Sequence, residues 1–148
     1  MRIAVGTLVW ASLAGCAGEP LDVEPPCPPP RAKSAIVFGT VVEAAGSPIP
    51  RANLVILGTT DQGSATDTIG ECVGFREWEM SALSDAVGSY RERVFSVFAE
   101  RMCLTVIAEA GGLTGMASGE SVELRTDLGR CTPESAFDSA RLDVVVGG

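Results

Sequence analysis

Few residues in this sequence are of a type and spacing that could do chemistry. Its 148 residues contain no histidine, which excludes Ser-His-Asp and Cys-His catalysis and removes the commonest zinc ligand. Asp61, Asp67 and Glu71 could offer oxygens to calcium, but their spacing is not that of an EF-hand loop. We interpret these acids as part of a solvated loop. The sequence therefore predicts no catalytic residue, no metal site and no cofactor.

Acidic side chains are the one remaining source of catalysis. A pair of carboxylates on either side of a glycosidic bond can hydrolyse it, but their separation is a three-dimensional quantity. No pair stands out among the 19 acidic residues. A metal-independent hydrolase that uses acidic residues is therefore the alternative to the non-enzymatic role that we favour.

The first residues have the pattern of an export signal. Met1 and Arg2 give a positive start, and an apolar run over residues 3–12 follows. The run is much shorter than the roughly 20 residues that a transmembrane helix needs. This pattern is typical of a cleaved signal and not of a membrane-spanning anchor.

The next four residues, Leu13-Ala14-Gly15-Cys16, resemble the bacterial lipobox. The resemblance implies a signal peptide over residues 1–15 and a mature chain that begins at Cys16, acylated with fatty acids such as palmitate. Several acyl chains hold a protein on a membrane without a transmembrane helix. Ala17 follows the cysteine in place of aspartate, which in a cell with two membranes resembles outer-membrane sorting. We expect a lipoprotein of the cell envelope, anchored at the outer membrane and facing the periplasm or the surface.

Four further cysteines are Cys27, Cys72, Cys103 and Cys131. An even number in an exported chain predicts two disulfides, with three possible connectivities. No Cys-x-x-Cys pair is present, which disfavours zinc binding and a thioredoxin-like redox motif. Because Cys103 lies in a strand-like run and Cys72 in a loop-like one, we favour Cys72–Cys103 and Cys27–Cys131.

The charge of the chain is acidic, with 11 basic and 19 acidic residues and a net charge of −8. Loss of the signal removes Arg2 and makes the mature chain one unit more negative. The sequence has no basic patch and no alternation of basic and aromatic residues, so nucleic acid is not an expected partner. We interpret the acidity as a source of solubility.

Proline dominates the segment that follows the lipobox. Six of the nine prolines lie between residues 17 and 33, a composition that favours extended polyproline II over helix or central strand. We interpret residues 16–33 as the lipidated cysteine and a semi-rigid tether. The alternative is a ligand for a proline-recognition domain.

Short β-type runs separated by turn residues fill residues 34–148, which we interpret as one domain. Such a pattern favours an antiparallel β-sandwich. Two segments also fit a turn or two of helix, namely the one containing Val94, Val97, Phe98 and Met102 and the one at Thr132-Pro133-Glu134-Ser135. Residues 59–74 are predicted as a loop or an irregular hairpin. The alternating runs contain Ala52, Leu54 and Ile56; Trp78, Met80 and Ala82; Leu104, Val106 and Ala108; Val122 and Leu124; and Leu142, Val144 and Val146.

Two aromatic residues are the candidates for ligand contact. Trp78 shares its parity with Met80 and Ala82, which favours a position facing the core. Phe75 has the opposite parity and lies beside the polar loop, so we expect it to be exposed. Exposed aromatics are a common means of binding sugars.

Three segments occur in the order typical of one family of accessory domains. The glycine at 39 permits close packing, and the glycine at 88 can take a positive φ before an aromatic enters the core. The segments are Val37-x-Gly39-x-Val41 with Gly46-x-Pro48-Ile49-Pro50-x-Ala52-x-Leu54-x-Ile56, then Ser84-Asp85-x-x-Gly88-x-Tyr90, then Leu104-x-Val106-x-Ala108.

Over roughly residues 35–110 these segments resemble the carboxypeptidase regulatory-like domains. The resemblance implies an all-β, antiparallel, transthyretin-like or immunoglobulin-like sandwich of about seven strands. It also implies a non-catalytic accessory role in binding or spacing. Residues 59–76 look like an insertion into the family pattern, and residues 95–101 lack its usual proline-glycine hairpin. We therefore expect a lipid-anchored envelope module, not an enzyme, that engages an envelope protein or a glycan.

Overall fold

The described part of the chain is built mainly of β-strands. The computed structural model describes residues 26–30, 32–61 and 67–147, so the predicted export signal with Cys16 and Ala17 lies outside it. Two 3₁₀ turns, Gly129–Cys131 and Glu134–Ala136, accompany the strands. Within the described ranges the strands are β1 Ala32–Glu43, β2 Asn53–Thr60, β3 Asp67–Ile69, β4 Cys72–Leu83, β5 Ser89–Ser96, β6 Arg101–Ala110, β7 Leu113–Glu123, β8 Arg125–Asp127, β9 Ser139–Arg141 and β10 Val144–Val146.

Strand β1 organises the first sheet. Strand β5 pairs antiparallel with one edge of β1, from Lys33↔Ser96 to Thr40↔Ser89. Three short strands share the other edge: β8 is antiparallel to β1, whereas β9 and β10 are parallel to it. These two parallel pairings depart from the antiparallel arrangement that the sequence predicts. Strands β9 and β10 follow one another along the same edge of β1 in one register, so both have the same direction relative to β1.

The second sheet is antiparallel and has the strand order β3-β4-β2-β6-β7. It stacks on the first sheet around one hydrophobic cluster, which confirms the predicted all-β sandwich. The predicted alternations are correct: one face of each run is buried in the core, and the face of Trp78, Met80 and Ala82 is partly buried against it. The described residues form ten strands and not about seven, mainly because the sequence analysis did not separate the short strands β3, β8 and β9.

The segment predicted as a loop or irregular hairpin over residues 59–74 is a strand end followed by a hairpin. Strands β3 and β4 pair from Asp67↔Gly74 to Ile69↔Cys72. The hairpin crosses the outer face of the second sheet, where the Thr105 hydroxyl donates to the Ile69 carbonyl at 3.1 Å. Cys72 therefore lies in a strand and not in a loop, and it is fully buried.

The helical alternative for the segment from Val94 to Met102 is wrong. Val94 ends up buried on β5 and Met102 buried on β6, on opposite sides of a turn, while Val97 and Phe98 are exposed. The four apolar residues have the spacing of a helix face only by coincidence, because they belong to two different strands and to the connection between them. The second predicted helical segment is confirmed as a single 3₁₀ turn, Glu134–Ala136.

The sandwich has two distinct ends. We call the tether end the one where β1 begins at Ala32 and where β5 and β6 are connected by residues 97–100. We call the distal end the one where β1 ends at Glu43 and where Gly111 and Gly112 connect β6 to β7. The registers place these ends about one ten-residue strand apart, which is roughly 33 Å.

Candidate functional site

The tether is fixed to one end of the sandwich by a disulfide. Cys27 is bonded to Cys131 in the first 3₁₀ turn, and Pro28 lies 3.8 Å from the position that a Cβ on Gly129 would occupy. The segment that leads back to Cys16 therefore leaves from the tether end. The second disulfide joins Cys72 to Cys103 and holds the β3–β4 hairpin on its sheet. Both pairs are those that the sequence analysis favoured.

The Ser-Asp-x-x-Gly-x-Tyr segment builds a turn at the distal end. The Asp85 carboxylate accepts hydrogen bonds from the backbone N–H groups of Val87 and Ser89, at 2.9 and 2.8 Å. Gly88 has a φ of +77°, and its carbonyl accepts from Val41 N at 2.8 Å. These polar groups are engaged in the turn, so their role is structural.

Ser84 in the same segment connects two further stretches of chain. Its buried hydroxyl accepts from Ala52 N at 2.8 Å and donates to the Ile49 carbonyl at 2.9 Å. A serine held in this way by two backbone groups is a structural residue. Nothing in its contacts resembles a nucleophile paired with a base.

Among the described residues, Tyr90 is the one whose pKa is strongly changed. Its phenol is buried and donates to the Leu142 carbonyl. Burial, with a smaller contribution from the charge of Asp143, raises the pKa of Tyr90 well above its ordinary value. A phenol that resists ionisation in this way is a poor general base, so we assign it a structural role.

Two aspartates have a pKa below the ordinary value. Burial opposes ionisation of Asp127, but hydrogen bonds from the Ser34 hydroxyl and Gly129 N, together with the Arg93 guanidinium, outweigh it and lower its pKa. Asp143 is governed in the same way, since Arg141 and Thr40 outweigh the effect of burial on its pKa. Both carboxylates are anchored in networks on the first sheet, and a general acid would need the opposite shift.

The acids of the polar loop do not form a metal centre in the described residues, where no group of three or more Cys, Asp or Glu side chains could hold an ion. The predicted hydrolase alternative needs two carboxylates that converge. The fully buried polar side chains of the described ranges are instead hydroxyl groups, those of Ser34, Thr59, Thr60, Ser84, Ser96 and Thr105.

The two candidate aromatics occupy different environments. Trp78 is half-buried, packs against the core and meets the Phe95 ring edge-to-face at 5.7 Å between centroids. Phe75 is 43% exposed, as predicted. The predicted face of Phe75 is wrong, however. A bulge in the pairing at Gly58–Thr59 shifts the alternation of β4 by one residue, so Phe75 lies on the same face of the strand as Trp78.

Phe95 is an exposed aromatic that the sequence analysis missed. It is 48% exposed on β5, between the buried Val94 and Ser96. The sequence pattern could have predicted this exposure. Tyr90 and Val94 are an even number of residues apart and share the buried face of the strand, so Phe95, the residue after Val94, lies on the opposite face. All three exposed phenylalanines, which are Phe75, Phe95 and Phe98, lie in the half of the sandwich nearer the tether end.

A cleft lies at the distal end. It has a volume of about 590 Å³ and opens between the end of β1, the β6–β7 turn and the end of β10. Glu43 is the one ionisable residue in its lining, and it is exposed. The other lining residues are small or aliphatic: Ala44, Ala45, Ile49, Ala110, Gly111, Leu113, Val146 and Gly147.

The comparisons with known proteins give only structural neighbours. The sequence matches no protein-family model and no curated protein. Chlorocatechol 1,2-dioxygenase from Pseudomonas putida superposes with a TM-score of 0.46 and 15% identity, over 78% of this chain and 61% of that one. Catechol 1,2-dioxygenase from Acinetobacter sp. ADP1 superposes with a TM-score of 0.46 and 17% identity, over 79% of this chain and 53% of that one.

A third neighbour, 3-chlorocatechol 1,2-dioxygenase from Rhodococcus opacus 1CP, has a TM-score of 0.40 and 11% identity, over 79% of this chain and 61% of that one. This chain thus spans between about half and three-fifths of the length of these proteins. At such identities and TM-scores the similarity says nothing about activity. No helix in the described ranges has the length and hydrophobicity that a bilayer span requires.

Proposed function

We propose that this chain is a lipid-anchored, non-enzymatic module of the cell envelope that binds a partner protein through its distal cleft. The lipid anchor is Cys16, in agreement with the lipobox resemblance, and the outer membrane is its site. The resemblance to carboxypeptidase regulatory-like domains supports an accessory role in binding. Gly39, Ser84 and Tyr90, which carry that resemblance, all have structural roles in the sandwich.

One observation carries the proposal: a mostly apolar cleft of about 590 Å³ opens at the end of the sandwich opposite the tether. A domain held at one end by lipid presents its other end to the surrounding envelope. A concave, mostly apolar surface with few polar groups is the usual form of a binding site. The cleft therefore lies where a partner can reach it without meeting the membrane.

The lining of the cleft favours a protein over a glycan. Sugars are gripped by flat aromatic rings together with many hydrogen-bonding groups, whereas this cleft is lined by aliphatic side chains and glycine backbone. Ile49 and Leu113 suit an apolar side chain of a partner, and Glu43 at the rim suits a basic one. We therefore assign the ligand as an apolar segment of a protein with a neighbouring basic residue.

The anchor is tested by Cys16→Ser. We expect this variant to lose membrane retention, as read from the membrane and soluble fractions of intact cells. The matched control is Ser12→Ala, which changes a residue of the same export signal and leaves the cysteine in place. A Cys16→Ser chain that stays wholly in the membrane fraction contradicts the lipoprotein assignment.

The cleft is tested by site-specific photocrosslinking in intact cells. A crosslinker at Leu113 should capture a partner, and the same group at Glu79, which is exposed on β4, should not. Ile49→Glu in the Leu113 crosslinker background should abolish capture because it puts a charge into the apolar lining. Protease sensitivity of the adduct identifies a protein partner. An adduct that resists protease but yields to glycan hydrolases, or one equally strong from Glu79, contradicts the proposal.

A further inference from the structure

The connection between β5 and β6 exposes large apolar side chains at the tether end. In this connection, which we call the 97–100 loop, Phe98 is 77% exposed and Val97 is 58% exposed. The next residue, Ala99, is fully buried. The loop is therefore a convex apolar projection on a buried base, unlike the concave distal cleft.

Hydrogen bonds hold the loop in this shape. The Ser96 hydroxyl accepts from the backbone N–H of Phe98 at 3.1 Å and from that of Ala99 at 2.9 Å. At the base of the loop, Glu100 forms an ion pair with Lys33 of β1. Because the turn is closed by its own serine, Phe98 is directed outward by the local structure.

The tether runs beside the same loop. Pro30 and Val97 line one surface depression together with Lys33. The Cys27–Cys131 disulfide holds this part of the chain at the tether end. Ten residue steps separate Cys16 from Pro26, and a chain of that length spans at most about 35 Å. A lipid on Cys16 therefore keeps the end that carries the 97–100 loop within about 35 Å of the bilayer, and the distal cleft lies at the end farther from the point of attachment.

We infer that the 97–100 loop is a second membrane contact, with Phe98 and Val97 inserted into the lipid interface. This inference rests on the lipid anchor in the proposed function. Aromatic and aliphatic side chains on a projecting loop suit the boundary between headgroups and acyl chains. One such loop binds weakly by itself, but anchoring by Cys16 makes its contact with lipid intramolecular and raises its effective concentration. The loop would then orient the sandwich so that the distal cleft faces away from the membrane.

The contact is tested with tryptophan as a depth probe in the lipoprotein isolated from cells. Trp78 is the only native tryptophan after loss of Trp10 with the signal. The protein is placed in phosphatidylcholine vesicles that contain brominated lipid, which quenches tryptophan on contact; uncharged lipid suits this acidic chain. Phe98→Trp should show blue-shifted emission and a loss of intensity beyond that of the native protein.

Leu113→Trp is the matched control, since Leu113 is 57% exposed but lies at the distal end. It should be quenched no more than the native protein. Equal quenching of the two variants, or none for Phe98→Trp, overturns the proposed contact while leaving the anchor intact. The mass of the intact chain reports acylation of Cys16 separately. If no acyl chain is found, the anchor proposal has failed, and the chain is coupled through Cys16 to a maleimide lipid so that quenching still decides the role of the loop.

Discussion

Tyr90 on β5 donates its phenolic hydrogen bond to the main-chain carbonyl of Leu142, between β9 and β10. The link crosses β1 at Gly39, where a Cβ would overlap the Leu142 carbonyl oxygen. Strand β1 therefore needs glycine at this position so that the last strands can close over the core. Gly39 and Tyr90, which belong to two of the motifs that resemble the family, therefore contact the same carbonyl group.

The alkaline behaviour of Tyr90 follows from this contact. Burial raises its pKa, so at pH values above about 10 an unfolded chain loses the phenolic proton while the native chain keeps it. The free energy of unfolding should therefore be unaffected by this group below that pH and should fall as the pH rises above it. Tyr90 is the only tyrosine, so phenolate absorbance reads it directly. Phenolate that appears near pH ~10 in a chain that is still folded contradicts the assignment.

Two buried glycines, Gly39 and Gly58, should differ in their tolerance of a methyl group. A Cβ at Gly39 meets backbone, whereas a Cβ at Gly58 meets the flexible end of the Met102 side chain. Overpacking costs about 1–3 kcal/mol, occasionally more, so we expect Gly39→Ala at or above the upper limit and Gly58→Ala near the lower one. Urea unfolding measures both. The idea fails if Gly58→Ala proves as destabilising as Gly39→Ala.

Removal of the Cys72–Cys103 disulfide should release the β3–β4 hairpin. The two cysteines are 31 residues apart, and closing a loop of that length stabilises a fold by about 3.7 kcal/mol in the chain-entropy model. We expect a loss of that size for the double variant Cys72→Ala/Cys103→Ala. Faster hydrogen exchange at Glu71, whose N–H donates to the Ser118 hydroxyl, should accompany it.

The tether disulfide provides the control for that variant. Cys27→Ala/Cys131→Ala also removes one disulfide, but that disulfide joins the tether to the first 3₁₀ turn and includes no residue of the hairpin. Exchange at Glu71 should therefore stay slow in this variant. If both double variants speed exchange at Glu71 to the same degree, the hairpin is not held by its own disulfide.

Acid should weaken the fold through Asp127. Its pKa is lowered in the native state because the hydrogen bonds and the Arg93 charge outweigh burial. Stability from this group is therefore complete above the unfolded value of about 3.9 and is lost as the pH falls through the lower native value. Asp127→Asn should flatten the acid limb of the unfolding curve, and Glu109→Gln at an exposed site should not. Identical acid limbs for Asp127→Asn and the native chain would rule out this role.

Some elements of the fold were readable because their physical cause is local. Leu54 and Ile56, like Leu104 and Val106, alternate with a period of two, and a strand with one buried face needs that period and no other. Both disulfide pairs also agree with expectation, although the sequence left three connectivities open. Exposure of Phe75 was predicted correctly.

Other elements depended on contacts between distant residues. The bulge at Gly58–Thr59 places Phe75 on the face of Trp78, and no local pattern marks where a ladder takes in an extra residue. The parallel pairing of β9 and β10 with β1 likewise joins residues about a hundred positions apart.

The sequence by itself determined an all-β domain, four cysteines able to form two disulfides, a chain without histidine and a tetrapeptide at residues 13–16 that resembles a lipobox, because each is a matter of composition, period or adjacency. Only the tertiary structure decided that the tether and the 97–100 loop share one end and that the apolar cleft occupies the other. The physical reason is that a sandwich end is assembled from turns far apart in the chain. Its shape exists only once the strands have paired.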